Sequence, residues 1–360
     1  MTDPEPDPQP VPALPDAPPS MPQFPPVPGE ERAQPAGSSW RRFAFLTPMA
    51  VLLVILNFVQ LPYFVFEPGP ASDVEPLIRV EGHQTFPSQG HLLLTAVHLF
   101  QPNVYQLVRE WLDDAQVLVP EDAVLGPDET PGQELVRAVS QMDQSQIDAA
   151  VVALTDQVGY PAMHGAGALV EDVVPGSPAE GKLFIGDLIV SIDGQKVSDV
   201  DGLTAILATK PTGQDMAFRV QAGGETTDVT VAKALVQGFD NPIVGFAAVD
   251  NFPFSVNIDA GGIGGPSAGL MWTLGLIDLL TPGDMTNGRI IAGTGTIALD
   301  GTVGPIGGIA EKVVAAKRAG AVIFFAPVQD APSAAKVDSG ITVVPVSTYQ
   351  QALDYLKNHP

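Results

Sequence analysis

A run of apolar residues at 43–66 constrains this chain more than any other feature. It is broken only by Thr47, Pro48, Asn57, Gln60 and Pro62, and about twenty apolar residues are what a helix needs to cross the hydrocarbon of a bilayer. Arg41 and Arg42 precede the run and acidic residues follow from Glu67. That asymmetry predicts a single transmembrane helix over 43–66, with the N-terminus cytoplasmic and everything after it extracytoplasmic. A cleaved signal peptide is the rival reading. The run is long for a signal core, and no small-x-small site closes it.

Residues 1–38 are rich in Pro, Asp, Glu and Gln, with almost no aliphatic clusters. Such a segment cannot bury enough apolar surface to offset its ordering entropy, so a disordered cytoplasmic tail is expected there. A docking site for a proline-binding module is the alternative. The chain has 360 residues, which suggests two or more domains. A net charge of −24 sets it against phosphate backbones, and nucleic acid is not expected as a partner. There is no cysteine, which excludes disulfides, thiolate zinc sites and a thiol nucleophile. The five histidines are His83, His91, His98, His164 and His359, so 165–358 contains none.

Beyond the apolar run, 77–80 and 92–97 read as strands joined by a turn at 87–90, the pattern of a hairpin. Residues 103–114 carry Val104, Leu107, Val108, Trp111 and Leu112 at helical spacing, and a second helix is expected over 133–154.

Gly261, Gly262, Gly264 and Gly265 lead into Pro266-Ser267-Ala268-Gly269, and 270–280 continues as an apolar helix. This puts a hydroxyl at a helix N-terminus, where unpaired N–H groups and the dipole favour negative charge. An oxyanion formed during acyl transfer would suit that place. A plain helix cap and a phosphate cradle are the competing readings. A nucleophilic serine needs a base, and the histidine gap makes a Ser-His pair awkward. Lysine can serve if burial lowers its pKa towards neutrality. In 307–320, Ile309, Val313, Ala316 and Gly320 share one helical stripe with Lys312 at its edge, while Lys317 and Arg318 fall on the other side. A lysine snorkelling to solvent is the bland reading of Lys312.

Two resemblances bear on these readings. Residues 168–179, with Pro175-Gly176-Ser177-Pro178-Ala179, and 186–194, with Gly186-Asp187 and Asp193-Gly194, resemble a PDZ domain. The likeness implies a helix over 199–208 beside a peptide groove, with a carboxylate-binding loop at Val158, Gly159 and Tyr160. PDZ domains take up an extended peptide as an added strand. The blocks at 265–269 and 301–312 resemble the two signatures of Lon-type serine peptidases. That likeness implies a Ser-Lys pair of Ser267 and Lys312, with Thr294 supporting the lysine, and oxyanion or substrate contacts at the backbone of Gly265, Pro266 and Ala268. It also implies no metal or nucleotide cofactor and a hexameric assembly. Ile263-Gly264 stands where many Lon peptidases have an acidic residue, and Asp259 is too distant to be its equivalent. No P-loop occurs in these residues, so ATP-driven unfolding is not encoded in them.

The expected fold is α+β. Its parts are a tail at 1–38, a transmembrane helix at 43–66, the first part of a Lon-like domain at 73–157, an inserted PDZ domain at 158–232 and the Lon-type proteolytic part at 233–357. The expected activity is ATP-independent hydrolysis of protein or peptide substrates outside the membrane. The alternatives are a membrane-tethered peptide-binding adaptor with an inactive site, and a C-terminal-processing protease.

Overall fold

The computed structural model describes residues 39–110, 117–127, 129–337 and 340–360. The expected tail at 1–38 lies outside the described residues. The chain separates into two units, Met1–Ile55 and Leu56–Pro360. What is described of the first is the greater part of helix α1, Ser39–Phe58.

Met49, Val51, Leu52, Leu53, Val54 and Ile55 are all exposed on α1. Among the described residues, no helix is long and apolar enough to cross a membrane. The span expected at 43–66 is not one helix. It ends at Phe58, and the residues from Tyr63 onwards open strand β1, Tyr63–Asp73. Pro62, which has no N–H to donate, lies in the break. The β-formers that follow it find partners, so Phe64 is 5% exposed and Val65 is fully buried.

Strand β2, Ile78–Glu81, and strand β3, His91–Phe100, do not form the expected hairpin. The linker between them is fastened elsewhere: Phe86 N–H donates to Leu279 O, and Ser88 Oγ donates to Asp278 and Asp284. Helix α2, Val104–Glu110, covers the start of the segment expected at 103–114, and 111–116 lie outside the described residues. Strand β4, Val117–Pro120, then pairs with the first residues of β1. Pro68 and Pro70 fall beyond that pairing, at a bulge, where a missing donor breaks no β4 bond.

Helix α3, Pro131–Val158, starts at a reciprocal cap in which Thr130 and Gln133 each take the other's backbone N–H. It ends at Gly159, whose left-handed φ of 76° a side chain would strain. Next come β5 (Ala168–Val173), β6 (Leu188–Ile192), β7 (Gln195–Lys196), α4 (Val200–Ala208), β8 (Asp215–Ala222), β9 (Glu225–Ala232) and β10 (Phe246–Asp250). They form a second sheet in the order β10-β5-β6-β8-β9, with β7 on β6. Its own core is built around Ile189, Ile192, Phe218 and Val231. Asp199 caps α4 by accepting Gly202 N–H at 2.6 Å.

Strand β11, Ser255–Ile258, returns to pair with β2. Helix α5, Gly269–Leu280, is buried at every position, as suits a helix whose polar side chains are only Thr273 and Asp278. The chain finishes with β12 (Ile290–Gly293), β13 (Thr296–Ile297), β14 (Val303–Gly304), α6 (Ile309–Arg318), β15 (Ile323–Pro327), α7 (Ala331–Ala334), β16 (Thr342–Val346) and α8 (Tyr349–Asn358). The main sheet runs β16-β15-β12-β3-β1-β4. Successive residues face opposite layers. Leu92, Leu94 and Phe325 join the core containing α5, whereas Leu93 and Phe324 pack with Val313 and Ala316 of α6. The result is a mixed α/β architecture with α5 and α6 on opposite faces of one sheet.

Candidate active site

The turn just past the end of β12 is where both layers meet. Ser267 sits in a single 3-10 turn, Pro266–Ala268, ahead of α5. Gly265 precedes it at φ 85°, a left-handed value that favours glycine. Gly269 is required by space, because a Cβ there would lie 2.6 Å from Ile297 Cγ2 and 2.8 Å from Ser145 Oγ. Backbone and side-chain bonds fasten the turn. Gly295 N–H donates to Ser267 O at 2.8 Å, and Leu270 N–H donates to Gly295 O at 3.1 Å. Gly265 N–H donates to Ala138 O at 2.7 Å, and Ser145 Oγ donates to Pro266 O at 3.1 Å.

Lys312 lies in the first turns of α6 and reaches around the strand end to the serine. Its Nζ is 2.6 Å from Ser267 Oγ and 3.1 Å from Thr294 Oγ1. Thr294 Oγ1 in turn donates to Ser267 O at 2.9 Å. Lys312 is 2% exposed, so it does not snorkel. Burial brings its pKa down to about 7, opposed in part by the negative charge of Asp330. A charged ammonium donates to Oγ across this contact. Once deprotonated, the same nitrogen presents a lone pair to the hydroxyl, which is the geometry of a general base. Thr294 and Ser267 O keep the three groups in register.

A cleft of about 930 Å³ opens over Ser267 and Lys312, with Phe66, Val97, Leu99, Leu135 and Ile306 among its walls. His98 also lines it, but the group bonded to Ser267 Oγ is the lysine amine. Asp330 Oδ2 accepts Ile306 N–H at 2.9 Å and so braces the wall beside Lys312. Among the described residues, no cluster of three or more His, Asp or Glu side chains could hold a metal ion.

The structure brings Ser267, Lys312 and Thr294 together. It treats the other candidates differently. Gly265 N–H is spent on Ala138 O, and Pro266 has no N–H, so neither can donate to an oxyanion. Ser267 and Ala268 N–H are the donors that remain on that turn. Val158, Gly159 and Tyr160 do not form an open carboxylate loop. The N–H groups of Gly159 and Tyr160 both point at Leu154 O, and the buried Tyr160 hydroxyl donates to Asp250 O at 2.7 Å. The residue triplet closes α3 and anchors it to the end of β10. Sequence reasoning missed Ser145, Ala138 and Asp330. Each acts on a turn more than twenty residues away, and no local spacing marks them.

Residues 246–357 match the family model of the Lon protease (S16) C-terminal proteolytic domain, and residues 139–221 match that of the PDZ domain. The first match opens at β10, which nevertheless pairs within the β5 sheet. Lon protease 2 of Bacillus subtilis (strain 168) is 36% identical over 110 residues, 31% of this chain and 19% of that protein. The Lon protease of Roseiflexus castenholzii is 33% identical over 153 residues, 37% of this chain and 19% of that protein. The Lon protease of Methylocella silvestris is 27% identical over 292 residues, 73% of this chain and 32% of that protein. The chain thus spans between 19% and 32% of the length of these relatives.

Proposed function

Since the chain carries a Lon-type (S16) C-terminal proteolytic domain and a PDZ domain, we propose that it is a serine endopeptidase working through Ser267 and Lys312. The observation that carries this reading is the contact of 2.6 Å between Ser267 Oγ and a lysine nitrogen that is 2% exposed. Neutral Lys312 takes the hydroxyl proton as Oγ attacks a peptide carbonyl. Ser267 and Ala268 N–H groups receive the developing oxyanion at the helix end. The protonated lysine then gives its proton to the leaving amine, and water hydrolyses the acyl-enzyme by the reverse sequence.

Three finer features belong to the proposal. The mechanism uses no ATP in any step, and the lack of a P-loop in these 360 residues favours cleavage that is independent of ATP. Peptide capture uses the outer edge of β10 beside α4, since β10 ends its sheet. Helix α1 attaches the chain to the cytoplasmic membrane with the protease domain outside, a reading favoured by its exposed Met49, Leu52 and Ile55. Hexamer formation is a further expectation from the family likeness.

The test uses the full chain in detergent micelles, with unfolded casein and no nucleotide. Wild type should cleave, while Ser267→Ala and Lys312→Ala should not. Cleavage surviving in Ser267→Ala would refute the mechanism, and silence in wild type would favour a peptide-binding adaptor. Alkaline extraction of membranes tests the anchor: release of the chain into the supernatant would exclude it.

A further inference from the structure

Helix α3 does two jobs at once. At Ala138 and Ser145 it holds the backbone of Gly265 and Pro266, directly ahead of Ser267. Within one further turn it meets β5 through acidic groups. Asp148 is 9% exposed and Glu171 is 8% exposed. Gln144 Nε2 donates to Glu171 Oε1 at 2.7 Å, while Asp148 Oδ1 is buried with no hydrogen-bond partner. The other titratable groups on the elements packed here are Glu134, Asp143 and Asp156 on α3, Asp172 on β5, Asp187 at the start of β6 and Asp250 on β10, all acidic, and Arg137 on α3, which is paired with Glu129 at 2.9 Å. Among the described residues, no ion pair supplies a cation to either member.

Glu171 is held at Gln144, one turn before Asp148 on α3, and two buried carboxyls this near each other without a cation cannot both be ionised cheaply, so one is favoured to keep a proton that it can share with the other. We propose that the Asp148–Glu171 pair is a proton-dependent latch between α3 and β5, through which the β5 sheet sets the position of the Ser267 turn. Burial and the Glu171 charge push Asp148 up to about 8. The sign follows from the proton count. The closed latch holds a proton that a solvated Asp148 would have lost above about pH 4, so closure is favoured in acid and weakens as pH rises. The closed-to-open ratio falls roughly tenfold per pH unit between about 4 and 8 and levels off above that. Opening frees α3 from β5 and loosens the grip of Ser145 on Pro266 O.

Amide hydrogen exchange on the full-length Ser267→Ala chain tests this without calling on proteolysis, so its failure is distinct from failure of the proposed activity. Protection factors, corrected for intrinsic exchange, are compared at pH 6 and pH 8. In the parent, protection across β5 should fall by up to about 100-fold, and the Leu270 amide, bonded to Gly295 O, should follow it. Adding Asp148→Asn supplies a permanent donor to Glu171 and should flatten both responses. Glu171→Gln serves the same purpose if the first variant fails to fold. A flat parent profile would overturn the latch, as would an equal fall in the amide variants. A fall in β5 with no change at Leu270 would overturn its link to the serine turn.

Discussion

Lys312→Met should stabilise the protein, and the gain should depend on pH in a way set by one buried amine. Folding brings the lysine from an ordinary 10.5 to about 7. Between those values the unfolded chain binds a proton that the folded chain does not, so stability rises with pH across that window. Below pH 7 the lysine must be buried charged, and its cost is greatest there. Integrating the two titrations gives a cost of about 5 kcal/mol at pH 6 and about 2 kcal/mol at pH 9, at about 1.4 kcal/mol per pKa unit. Methionine fills a similar volume and has no charge to desolvate. The stability advantage of the variant over wild type should therefore shrink by about 3 kcal/mol from pH 6 to pH 9. Urea unfolding at the two pH values measures it, and other titrating groups cancel in the difference between proteins. The same lysine predicts that kcat/KM rises about tenfold between pH 6 and pH 8, as the neutral fraction grows from about a tenth to about nine-tenths. A stability difference independent of pH would refute the assignment of a depressed lysine, whatever the activity.

Gly269→Ala should cost about 1–3 kcal/mol in thermal unfolding, because its methyl would enter the contact between Ile297 and Ser145; a neutral result would mean that the turn is looser than described. Thr294→Val removes the hydroxyl that accepts from Lys312 and donates to Ser267 O. It should lower kcat by roughly ten- to a hundredfold with KM little changed, a split read from steady-state peptide kinetics. His98→Ala should keep kcat/KM within about twofold of wild type. Loss of activity in that variant would restore histidine as a candidate base.

The parts legible in the sequence were those written in short-range pattern. The apolar helix following Ser267 and the stripe with Lys312 at its edge follow from spacing over one or two turns, and the helix at α4 was implied by the PDZ likeness. What depended on distant partners was not legible. Residues 77–80 and 92–97 look like a hairpin because two strand-like runs flank a Gly-containing turn, yet β2 pairs with β11 and β3 with β1 and β12. The apolar run at 43–66 looks continuous because strand residues at 63–66 are as apolar as helix residues, and only pairing with β3 and β4 separates them. The same limit hid Ser145. Its side chain contacts a carbonyl 121 residues later, and a serine in mid-helix carries no local sign of such a role.

The serine turn is held from three directions along the chain, and this orders events during synthesis. Ala138 and Ser145 emerge from the ribosome before the β5 sheet is made, and Ser267 after it. The amine that would activate the hydroxyl follows only 45 residues later still. α6, which carries that amine, packs against Phe324 and Ala326 of β15, which come later again. A nascent chain therefore displays an ordinary hydroxyl until Lys312 and β15 have been added. A chain stopped before Lys312 would hold Ser267 without its amine partner, and one stopped before Phe324 would lack the packing that seats α6.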